Sequence, residues 1–278
     1  MENDSNLGFA TAVNQGIRAA SGQYILLLNP DARLNPGALR ALVGFLDSHP
    51  SAAAVGPRIT GANGALVRSC RVFPSLAVIL ARDTGLSDRF PRHPVFGAPT
   101  LSFWGYDSDR QVDYASGACL LLRRQAIEAV GLLDEGYFMY GEEMDLCWRL
   151  WRRGWAVWFT PSASIQHTGG RSAAKVQQPH GREPLLLRSY YYSQARFLVK
   201  NRSVALYVIW WILVFSKSVA ASAAYLLAAA FSAPELRGLR LRSARRTIYV
   251  ARLLLGLGPG AARASPPVAP DRAAETLR

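Results

Sequence analysis

The run Tyr24–Leu28 restricts the fold more than any other part of the sequence, because its five consecutive residues are all apolar. An uninterrupted apolar run of this length, bounded by turn residues, is typical of a strand buried on both faces. Apolar residues at helical spacing from Phe9 to Ala20 precede the run, and Gly22 ends that helix. A helix that leads into a central buried strand predicts an α/β fold with a parallel sheet.

The strand is followed at once by Asn29-Pro30-Asp31. An aspartate just past the carboxyl end of a parallel strand lies where α/β sheets bind their ligands. The alternative is that Asp31 only forms a turn after the proline. Asn35-Pro36 then predicts the start of a helix that runs to about His49.

The stretch Gly136–Trp155 holds the densest cluster of acids in the chain, with Glu142, Glu143 and Asp145 in the first turn of a predicted helix. The helix dipole favours acids at this position, so a purely structural role stays open. The aromatic segment Tyr137–Tyr140 in front of the helix places the acids at the edge of an apolar, partly dry site. A carboxylate in such a site can serve as a general base.

This predicted helix has two faces of different character. Glu142 and Asp145 share one face with Arg149, whereas Glu143 projects between that face and an apolar one. Gly154 is a helix-stop residue just past the end. The apolar face consists of Met144, Cys147, Trp148 and Trp151.

The rest of this part of the chain predicts short elements and one irregular segment. Residues Leu76 to Asp109 are poorly patterned, and we expect a mobile excursion over the site. A strand at Ala156–Phe159 precedes the polar loop Ile165–Ser172, which contains His167. A single histidine in a loop is more often incidental than a ligand. The other predicted elements are a strand at Ala53–Val55, a hairpin turn at Asn63-Gly64, strands at Val112–Tyr114 and Ala118–Leu122, and a helix over Arg124–Val130.

Positive charge is concentrated in the C-terminal part of the chain. The net charge of the chain is +13. Residues 182–252 hold 12 basic and 2 acidic side chains and so contribute +10 of it. The arginines flank the apolar runs Val204–Phe215 and Ser218–Phe231, which favours an anionic membrane surface over nucleic acid as partner. Lys217 separates the runs, and placing a charged side chain at the middle of a lipid bilayer costs on the order of 3 kcal/mol. We therefore expect two helices that lie in or dip into the interface, rather than one span.

Composition divides the chain into residues 1–181 as a catalytic domain, 182–258 as a membrane-associating helical region, and 259–278 as a disordered tail. Three widely spaced cysteines lack any CxxC spacing and indicate a reducing compartment. The polar N-terminus has no signal-peptide pattern. We expect the protein at the cytoplasmic face of the plasma membrane, either peripheral or with one span.

Six motifs follow one another from Asn6 to about Ser172. They are Asn6-x-Gly8-Phe9-x-x-Ala12-x-Asn14-x-Gly16, Leu26-Leu27-Leu28-Asn29-Pro30-Asp31, the loop Arg68/Arg71-Phe73-Pro74, Gly117-Ala118, Asp134-Glu135-x-x-Phe138-x-Tyr140-x-Glu142-Glu143-x-Asp145-Leu146-x-x-Arg149, and His167-x-Gly169-Gly170-x-Ser172. In this order they resemble the family 2 glycosyltransferases, most closely the bacterial rhamnosyltransferase-like members that build cell-wall and O-antigen polysaccharides.

The resemblance implies a GT-A glycosyltransferase fold, a nucleotide-sugar donor of the dTDP-rhamnose or UDP-sugar type, and a divalent cation, Mg²⁺ or Mn²⁺. It places Asp31 at the metal or diphosphate and His167 at the metal or the leaving phosphates. The expected donor-binding residues are Asn6, Gly8, Phe9, Asn14, Asn29, Asp31, Arg68 and Arg71.

The resemblance also implies inverting transfer to a lipid-linked or polysaccharide acceptor. Glu143 is the expected catalytic base, with Glu142 and Asp145 in the same acidic motif. The chemistry of sugar transfer agrees with these residue types. The attacking hydroxyl must lose a proton to a base, and the charge of the leaving diphosphate must be compensated.

In one respect the sequence departs from the family, whose members begin with a strand–helix–strand unit that grips the nucleotide base and ribose. This chain starts after that unit, so we expect an N-terminally truncated GT-A fold. A membrane-associated remnant without catalytic activity is therefore the alternative to an active enzyme. A nucleic-acid-binding protein is a third hypothesis, and its binding would depend strongly on salt.

Overall fold

Nine strands form two sheets in the part of the chain that the structure, a computed structural model, describes, residues 3–168 and 182–263. The strands are β1 (Tyr24–Leu28), β2 (Ala32–Leu34), β3 (Ala52–Thr60), β4 (Leu66–Val67), β5 (Cys70–Arg71), β6 (Arg110–Val112), β7 (Tyr114–Ala115), β8 (Cys119–Arg123) and β9 (Ala156–His167). The larger sheet has the order β1-β8-β3-β9-β2, with β4 beside β3 and β6 beside β9.

Helices flank the sheet and then make up the described C-terminal part. They are α1 (Phe9–Ala19), α2 (Ala38–Ser48), α3 (Leu76–Asp83), α4 (Leu86–Arg89), α5 (Arg124–Val130), α6 (Glu142–Arg152), α7 (Arg182–Phe197), α8 (Val204–Ala230), α9 (Pro234–Gly256) and α10 (Pro259–Arg263). A π-helical turn, Leu198–Arg202, joins α7 to α8. The predicted α/β class is confirmed, as are the bounds of α5 and the hairpin between β3 and β4.

The sheet is mixed rather than parallel, because only β3 and β9 pair in parallel among the described strands. The prediction of a central first strand is also wrong. Within the described chain β1 pairs with β8 alone, in antiparallel register, and Leu28 at its end is 40% exposed. Its continuous apolar pattern has a simple cause, since Ile25 and Leu27 enter one apolar cluster while Tyr24 and Leu26 pack against another.

These two apolar clusters lie on opposite faces of the larger sheet. One face is covered by α2, whose Leu42 and Leu46 are fully buried. The other is covered by α1 and α6, with Met144 and Leu146 among its buried residues. Burial on both faces fixes the positions at which α1 and α6 begin, and the candidate site lies at the start of α6.

The segment 76–109, which the sequence predicts to be irregular throughout, is irregular only in its second part, residues 90–109, where one short 3-10 turn is the only helical element. Its first part contains α3 and α4, and the Ser75 side chain caps α3 by accepting a hydrogen bond from the Val78 N–H at 3.3 Å. Ile79 is fully buried in a cluster with residues of α7, α8 and α9. Because those partners lie more than a hundred residues away, local periodicity does not reveal this packing.

The two apolar runs at 204–231 form the single 27-residue helix α8, not two helices. Ser203 caps it by accepting from the Leu206 N–H at 3.1 Å. The helix α9 packs antiparallel to α8, as the Trp211 Nε1 to Leu254 O bond of 2.8 Å and the Ser222 Oγ to Thr247 Oγ1 bond of 2.8 Å show. By length and composition α8 can span a membrane, and little of it is buried within the chain.

The predicted disordered tail is partly wrong. Its first residues form α10, and Ala262 is buried against the C-terminal helices. Residues 264–278 lie outside the described chain, as does the motif segment Gly169–Ser172.

Candidate active site

A cavity of about 320 Å³ opens at the start of α6. We call it the Glu143 cavity. Its polar lining comes from five parts of the chain that are far apart in sequence: the segment around β5, β7, the start of α6, the end of β9, and α7. The lining includes Arg68, Arg71, Tyr114, Tyr140, Glu143 and His167.

Glu143 is placed by a sharp turn before α6. Both Tyr140 and Gly141 have positive φ angles, 69° and 89°. A Cβ on Gly141 would lie 3.2 Å from Ser193 Cβ and 3.3 Å from the Tyr137 ring, so glycine is the residue that fits there. The Gly141 N–H donates to Glu143 Oε2 at 3.2 Å, which holds the carboxylate at the cavity wall.

The two neighbouring glutamates are in different environments. Burial raises the pKa of Glu143, although the Gly141 N–H and the Arg71 charge act in the opposite direction. Burial and the charge of Glu143 raise the pKa of Glu142 well above its ordinary value. Glu142 Oε2 is buried and has no hydrogen-bond partner among the described residues. The two carboxyl groups titrate as a pair, and only Glu143 lines the cavity, so it is the member of the pair that can exchange a proton with a ligand.

Asp145, the third predicted catalytic acid, lies outside the cavity. It is fully buried and accepts from Arg149 Nε at 2.9 Å, Lys200 Nζ at 2.8 Å and Asn201 Nδ2 at 2.7 Å. Removing one partner from a buried ion pair typically costs about 3–5 kcal/mol. The oxygens of Asp145 face cations of α6 and of the π-helical turn, so its observed contacts are structural, and its catalytic role stays a prediction.

Asp134 extends this ion-pair network to α7. It accepts from Arg196 Nη2 at 3.0 Å and Lys200 Nζ at 2.6 Å. Burial by itself would raise the pKa of Asp134, but Lys200, Gly136 N–H and Arg196 together lower it below its ordinary value. The network therefore fixes α7 against the loop that leads to Glu143.

Asp31 and His167 are brought together by the pairing of β2 with β9, in which Ala32 lies opposite His167. The distance from Asp31 Oδ1 to His167 Nε2 is 3.1 Å, and the two side chains are 5% and 20% exposed. His167 is the last residue of a twelve-residue strand, so its predicted place in a loop is wrong. Asn29 does not line the cavity, and its N–H donates to Ala118 O at 3.0 Å.

Arg68 and Arg71 line both the Glu143 cavity and an adjoining cavity of about 380 Å³. Arg71 Nη1 donates to Arg68 O at 2.6 Å and to Cys70 O at 3.0 Å. These bonds to backbone carbonyls orient the guanidinium without neutralising it. The two arginines therefore present positive charge to any ligand in either cavity.

The N-terminal motif positions α1 and lies outside the cavity. Asn6 Oδ1 accepts from Gly8 N at 3.0 Å, and Phe9 N donates to Phe138 O at 2.8 Å. A Cβ on Gly8 would lie 2.6 Å from the same Phe138 oxygen, which explains the glycine. Asn14 is buried and exchanges hydrogen bonds of 2.9 and 3.0 Å with the Leu133 backbone.

Phe9 and Gly8 therefore contact the aromatic segment in front of α6, and Asn14 holds the chain just before it. Their predicted part in donor binding, and that of Asn6, stays a prediction. The structure also places Tyr190 and Gln194 of α7 in the cavity lining, which the sequence did not indicate. No local sequence pattern marks these two residues as site residues, because α7 reaches the cavity only through tertiary packing.

Residues 1–70 match the family model described as glycosyl transferase family 2. An N-acetylglucosaminyl-diphospho-decaprenol L-rhamnosyltransferase of Mycobacterium tuberculosis is 35% identical over 191 residues, which are 63% of this chain and 60% of that protein. Rhamnosyltransferase WbbL of Escherichia coli is 28% identical over 158 residues, which are 56% of each chain. These matches support a family 2, rhamnosyltransferase-like protein and confirm the resemblance seen in the motifs.

The chain spans 60% and 56% of the lengths of these two relatives. Among solved structures, GalNAc-T7 with UDP, GalNAc and Mn2+ aligns over 72% of this chain and 38% of its own, with 15% identity and a TM-score of 0.43. The family match and the flanked mixed sheet together support the predicted GT-A-like α/β fold.

The Glu142→Gln variant tests the environment of the buried glutamate. A folded-state pKa raised above the unfolded value gives stability that is present at low pH and lost as the pH rises through the folded-state pKa. The substituted amide does not titrate, so the variant should gain stability relative to wild type between pH 5 and pH 8, by about 1.4 kcal/mol per unit of raised pKa.

Denaturant unfolding at the two pH values measures this difference. Glu128→Gln, at an exposed position of α5, is the matched control and should show little pH-dependent change relative to wild type. An equal effect of Glu142→Gln at both pH values would contradict a raised pKa for this group.

Proposed function

We propose that the chain carries an inverting, metal-dependent glycosyltransferase activity that moves a sugar from a nucleoside-diphosphate donor to a lipid-linked or glycan acceptor. The observation that carries this proposal is the Glu143 cavity, where a partly buried carboxylate shares one lining with two arginines and with His167, the partner of Asp31. Such an arrangement separates the group that takes a proton from the groups that hold an anionic leaving group.

Glu143 has the position of the general base. In a single displacement, the acceptor oxygen forms a bond to the anomeric carbon while the bond from that carbon to the diphosphate oxygen breaks. The hydroxyl proton passes to Glu143, and burial favours the neutral form of the neighbouring Glu142, which reduces the repulsion between the two carboxylates. Attack from the face opposite the leaving group inverts the anomeric centre.

Arg68 and Arg71 have the position to compensate the leaving diphosphate. Their guanidinium groups line two adjoining cavities, so one pair of cations can contact the diphosphate while the acceptor occupies the space in front of Glu143. Guanidinium groups bind phosphate oxygens through two parallel hydrogen bonds, which also orients the anion.

Asp31 and His167 are the residues that would hold a divalent cation. The described residues contain no cluster of three or more His, Cys, Asp or Glu that could bind a metal alone. One carboxylate and one imidazole still fit, because Mg²⁺ and related ions commonly bind through one or two protein ligands with substrate phosphates completing the shell. The cation would supply charge compensation for the diphosphate.

The relatives favour rhamnose among the possible sugars. The Mycobacterium protein is named for rhamnosyl transfer to N-acetylglucosaminyl-diphospho-decaprenol. We therefore propose a dTDP-rhamnose or UDP-sugar donor and a role in cell-wall or surface polysaccharide synthesis. A non-catalytic fragment, the alternative hypothesis, would bind no nucleotide sugar.

We also propose that α8 and α9 attach the protein to the cytoplasmic face of an anionic membrane. Large apolar side chains on α8 are exposed, among them Leu227 at 64% and Phe231, next to its end, at 89%. Arg240 of α9 lies beside this apolar surface, since its Nη1 donates to Ala228 O at 2.7 Å, and such a combination attracts anionic lipid as well as burying apolar area.

The Glu143→Gln variant should lower the transfer rate by about 10²–10⁴-fold, because it removes a positioned base, while donor binding changes little. In the wild type the rate should fall on acidification at a pH above the ordinary glutamate range of about 4.3, since burial raises the pKa of Glu143. Rates with a nucleotide-sugar panel and binding by calorimetry are the measurements. A variant that retains more than about a tenth of the rate would show that Glu143 is not the base.

The Asp31→Asn variant tests the proposed cation site. It should weaken UDP or dTDP binding in Mn²⁺ by about tenfold and abolish the gain in affinity that Mn²⁺ gives the wild type. Bound Mn²⁺ is counted directly by electron paramagnetic resonance. Asp107→Asn, at an exposed position, should leave both quantities unchanged. Retention of metal-dependent nucleotide affinity in Asp31→Asn would exclude this site.

Membrane attachment is tested by flotation of the full chain with vesicles. Wild type should float with phosphatidylglycerol-containing vesicles, and a Leu227→Glu/Phe231→Glu double variant should lose at least half of that association. Leu39→Glu adds the same kind of charge at a 45% exposed leucine of α2 and should float like wild type. If the double variant also floats like wild type, this end of α8 does not contact lipid.

A further inference from the structure

The side-chain amide of Gln194 is held in one orientation by the end of α3. Asp83 contacts one edge of the Arg82 guanidinium, with 2.9 Å from Arg82 Nε to Asp83 Oδ1 and 3.0 Å from Arg82 Nη2 to Asp83 Oδ2. The remaining nitrogen of the guanidinium, Nη1, donates to Gln194 Oε1 at 3.0 Å. Because a guanidinium can only donate hydrogen bonds, the amide oxygen of Gln194 must face Arg82, and the amide nitrogen is left for another partner.

The amide nitrogen of Gln194 has no hydrogen-bond partner within the described part of the chain. Gln194 is only 8% exposed, yet this nitrogen is not sealed from solvent as Glu142 Oε2 is. Gln194 lines the Glu143 cavity and the adjoining cavity, so its two N–H groups are available to a ligand there. A largely buried donor without a partner costs free energy, which an oxygen of a bound ligand would recover.

Tyr140 lines the same cavity in a backbone conformation that tyrosine rarely adopts. Among the described residues other than glycine, Leu101, Tyr106 and Tyr140 have positive φ angles. Leu101 and Tyr106 are 5% and 0% exposed, so the packing of their side chains offsets the strain. Tyr140 is 41% exposed, and its ring has no stacking or hydrogen-bonding partner among the residues that the structure describes. Its strain is not offset by comparable packing, which fits a ring that contacts a ligand.

The turn that holds Tyr140 and the helix that holds Gln194 are in direct contact. Ser193 Oγ donates to Met139 O at 3.2 Å, so the residues that precede Gln194 and Tyr140 are hydrogen-bonded to each other. An aromatic ring, fixed amide donors and the Glu143 carboxylate thus line one space of about 320 Å³. A pyranose ring matches these groups, since it has an apolar face of C–H groups and hydroxyl groups at its edge.

We propose that Gln194 and Tyr140 form the subsite for the acceptor sugar. The Tyr140 ring lies against the apolar face of the pyranose, and the Gln194 amide donates to one of its oxygens. The inference rests on the proposed function, to which it adds the residues that orient and select the acceptor. The attacking hydroxyl must reach Glu143, which places the acceptor ring in this cavity. The sugar of the donor is also a pyranose and is the competing occupant.

The test measures transfer by the full chain to a panel of methyl pyranosides, with the KM for acceptor and the KM for donor determined separately. Gln194→Met removes the amide and keeps the side-chain length, so it should raise the acceptor KM by about tenfold or more and change the donor KM by less than about twofold. Gln194→Glu keeps an oxygen for Arg82 but removes the N–H donors, and it should raise the acceptor KM as well. Gln125→Met, at an exposed position of α5, is the matched control and should behave like wild type.

The glutamate variant separates ligand binding from a structural link between α3 and α7. Such a link would be preserved in Gln194→Glu, because a carboxylate also accepts from Arg82. A wild-type acceptor KM in Gln194→Glu would therefore overturn the role of the amide.

Acceptors that lack one hydroxyl group identify the oxygen that Gln194 contacts. With wild type, one deoxy acceptor should have a KM about tenfold above that of its parent. With Gln194→Met the same deoxy acceptor should show no further loss, because both changes remove one hydrogen bond. Additive losses for every deoxy acceptor would show that Gln194 does not contact the acceptor.

Tyr140 is tested by substitutions that move stability and binding in different directions. Tyr140→Gly relieves the backbone strain, so it should keep or raise stability toward denaturant while it raises the acceptor KM by about tenfold. Tyr140→Phe keeps the ring and should keep the wild-type KM. A loss of stability in Tyr140→Gly without a change in acceptor KM would show that the ring serves the fold and does not contact the sugar.

The competing occupant and a failure of the proposed function have separate signatures. If Gln194→Met raises the donor KM and slows hydrolysis of the donor by water, with the acceptor KM unchanged, the subsite holds the donor sugar and the acceptor proposal fails. If wild type consumes no donor with any pyranoside or with water, the proposed function is wrong. Binding of the same pyranosides, followed by saturation-transfer NMR without donor, then still tests the subsite. Equal signals from wild type, Gln194→Met and Tyr140→Gly would overturn it.

Discussion

The buried carboxylate of Asp145 is the interaction on which the rest of the structure depends. Its contacts with Arg149, Lys200 and Asn201 join α6 to the turn that follows α7. A buried carboxylate is stable only if its partners stay in place, so these contacts fix the register between the two parts of the chain. Aromatic packing reinforces that register, since Phe197 contacts Phe73 and Trp148. The helix α7 is thereby part of the wall of the candidate site.

Three carboxylates within four residues have three different roles because each faces a different environment. Asp145 faces cations, Glu143 faces the cavity and the Gly141 N–H, and Glu142 faces neither. Helical geometry alone produces this separation, since consecutive residues in α6 differ by about 100° in direction. The cost of burying Glu142 falls when it holds a proton, and that proton removes the repulsion that would otherwise oppose ionisation of Glu143.

The sequence predicts well what local pattern and turn chemistry determine, and poorly what depends on distant partners. The periodicity around Met144 and Cys147 predicts α6, and Asn63-Gly64 predicts the hairpin. By contrast, Asp145 finds Lys200 at a separation of 55 residues, and Ile79 is buried only because α7 and α8 cover it. The motifs identified the acids and arginines of the cavity but not Tyr190, because its role arises from the docking of α7.

Lys217 illustrates why the C-terminal prediction was wrong and what the difference implies. From sequence, a lysine between two apolar runs favours a break, because a charge facing lipid is costly. In the structure the helix continues without a break, and Lys217 is exposed at the edge of a cavity formed with α3, α7 and α9. A lysine can cover apolar surface with its aliphatic part while its ammonium group stays in water, which lowers the cost of keeping it in an apolar helix. Positive charge from α8 and α9 therefore lies next to Tyr190, which also lines the Glu143 cavity.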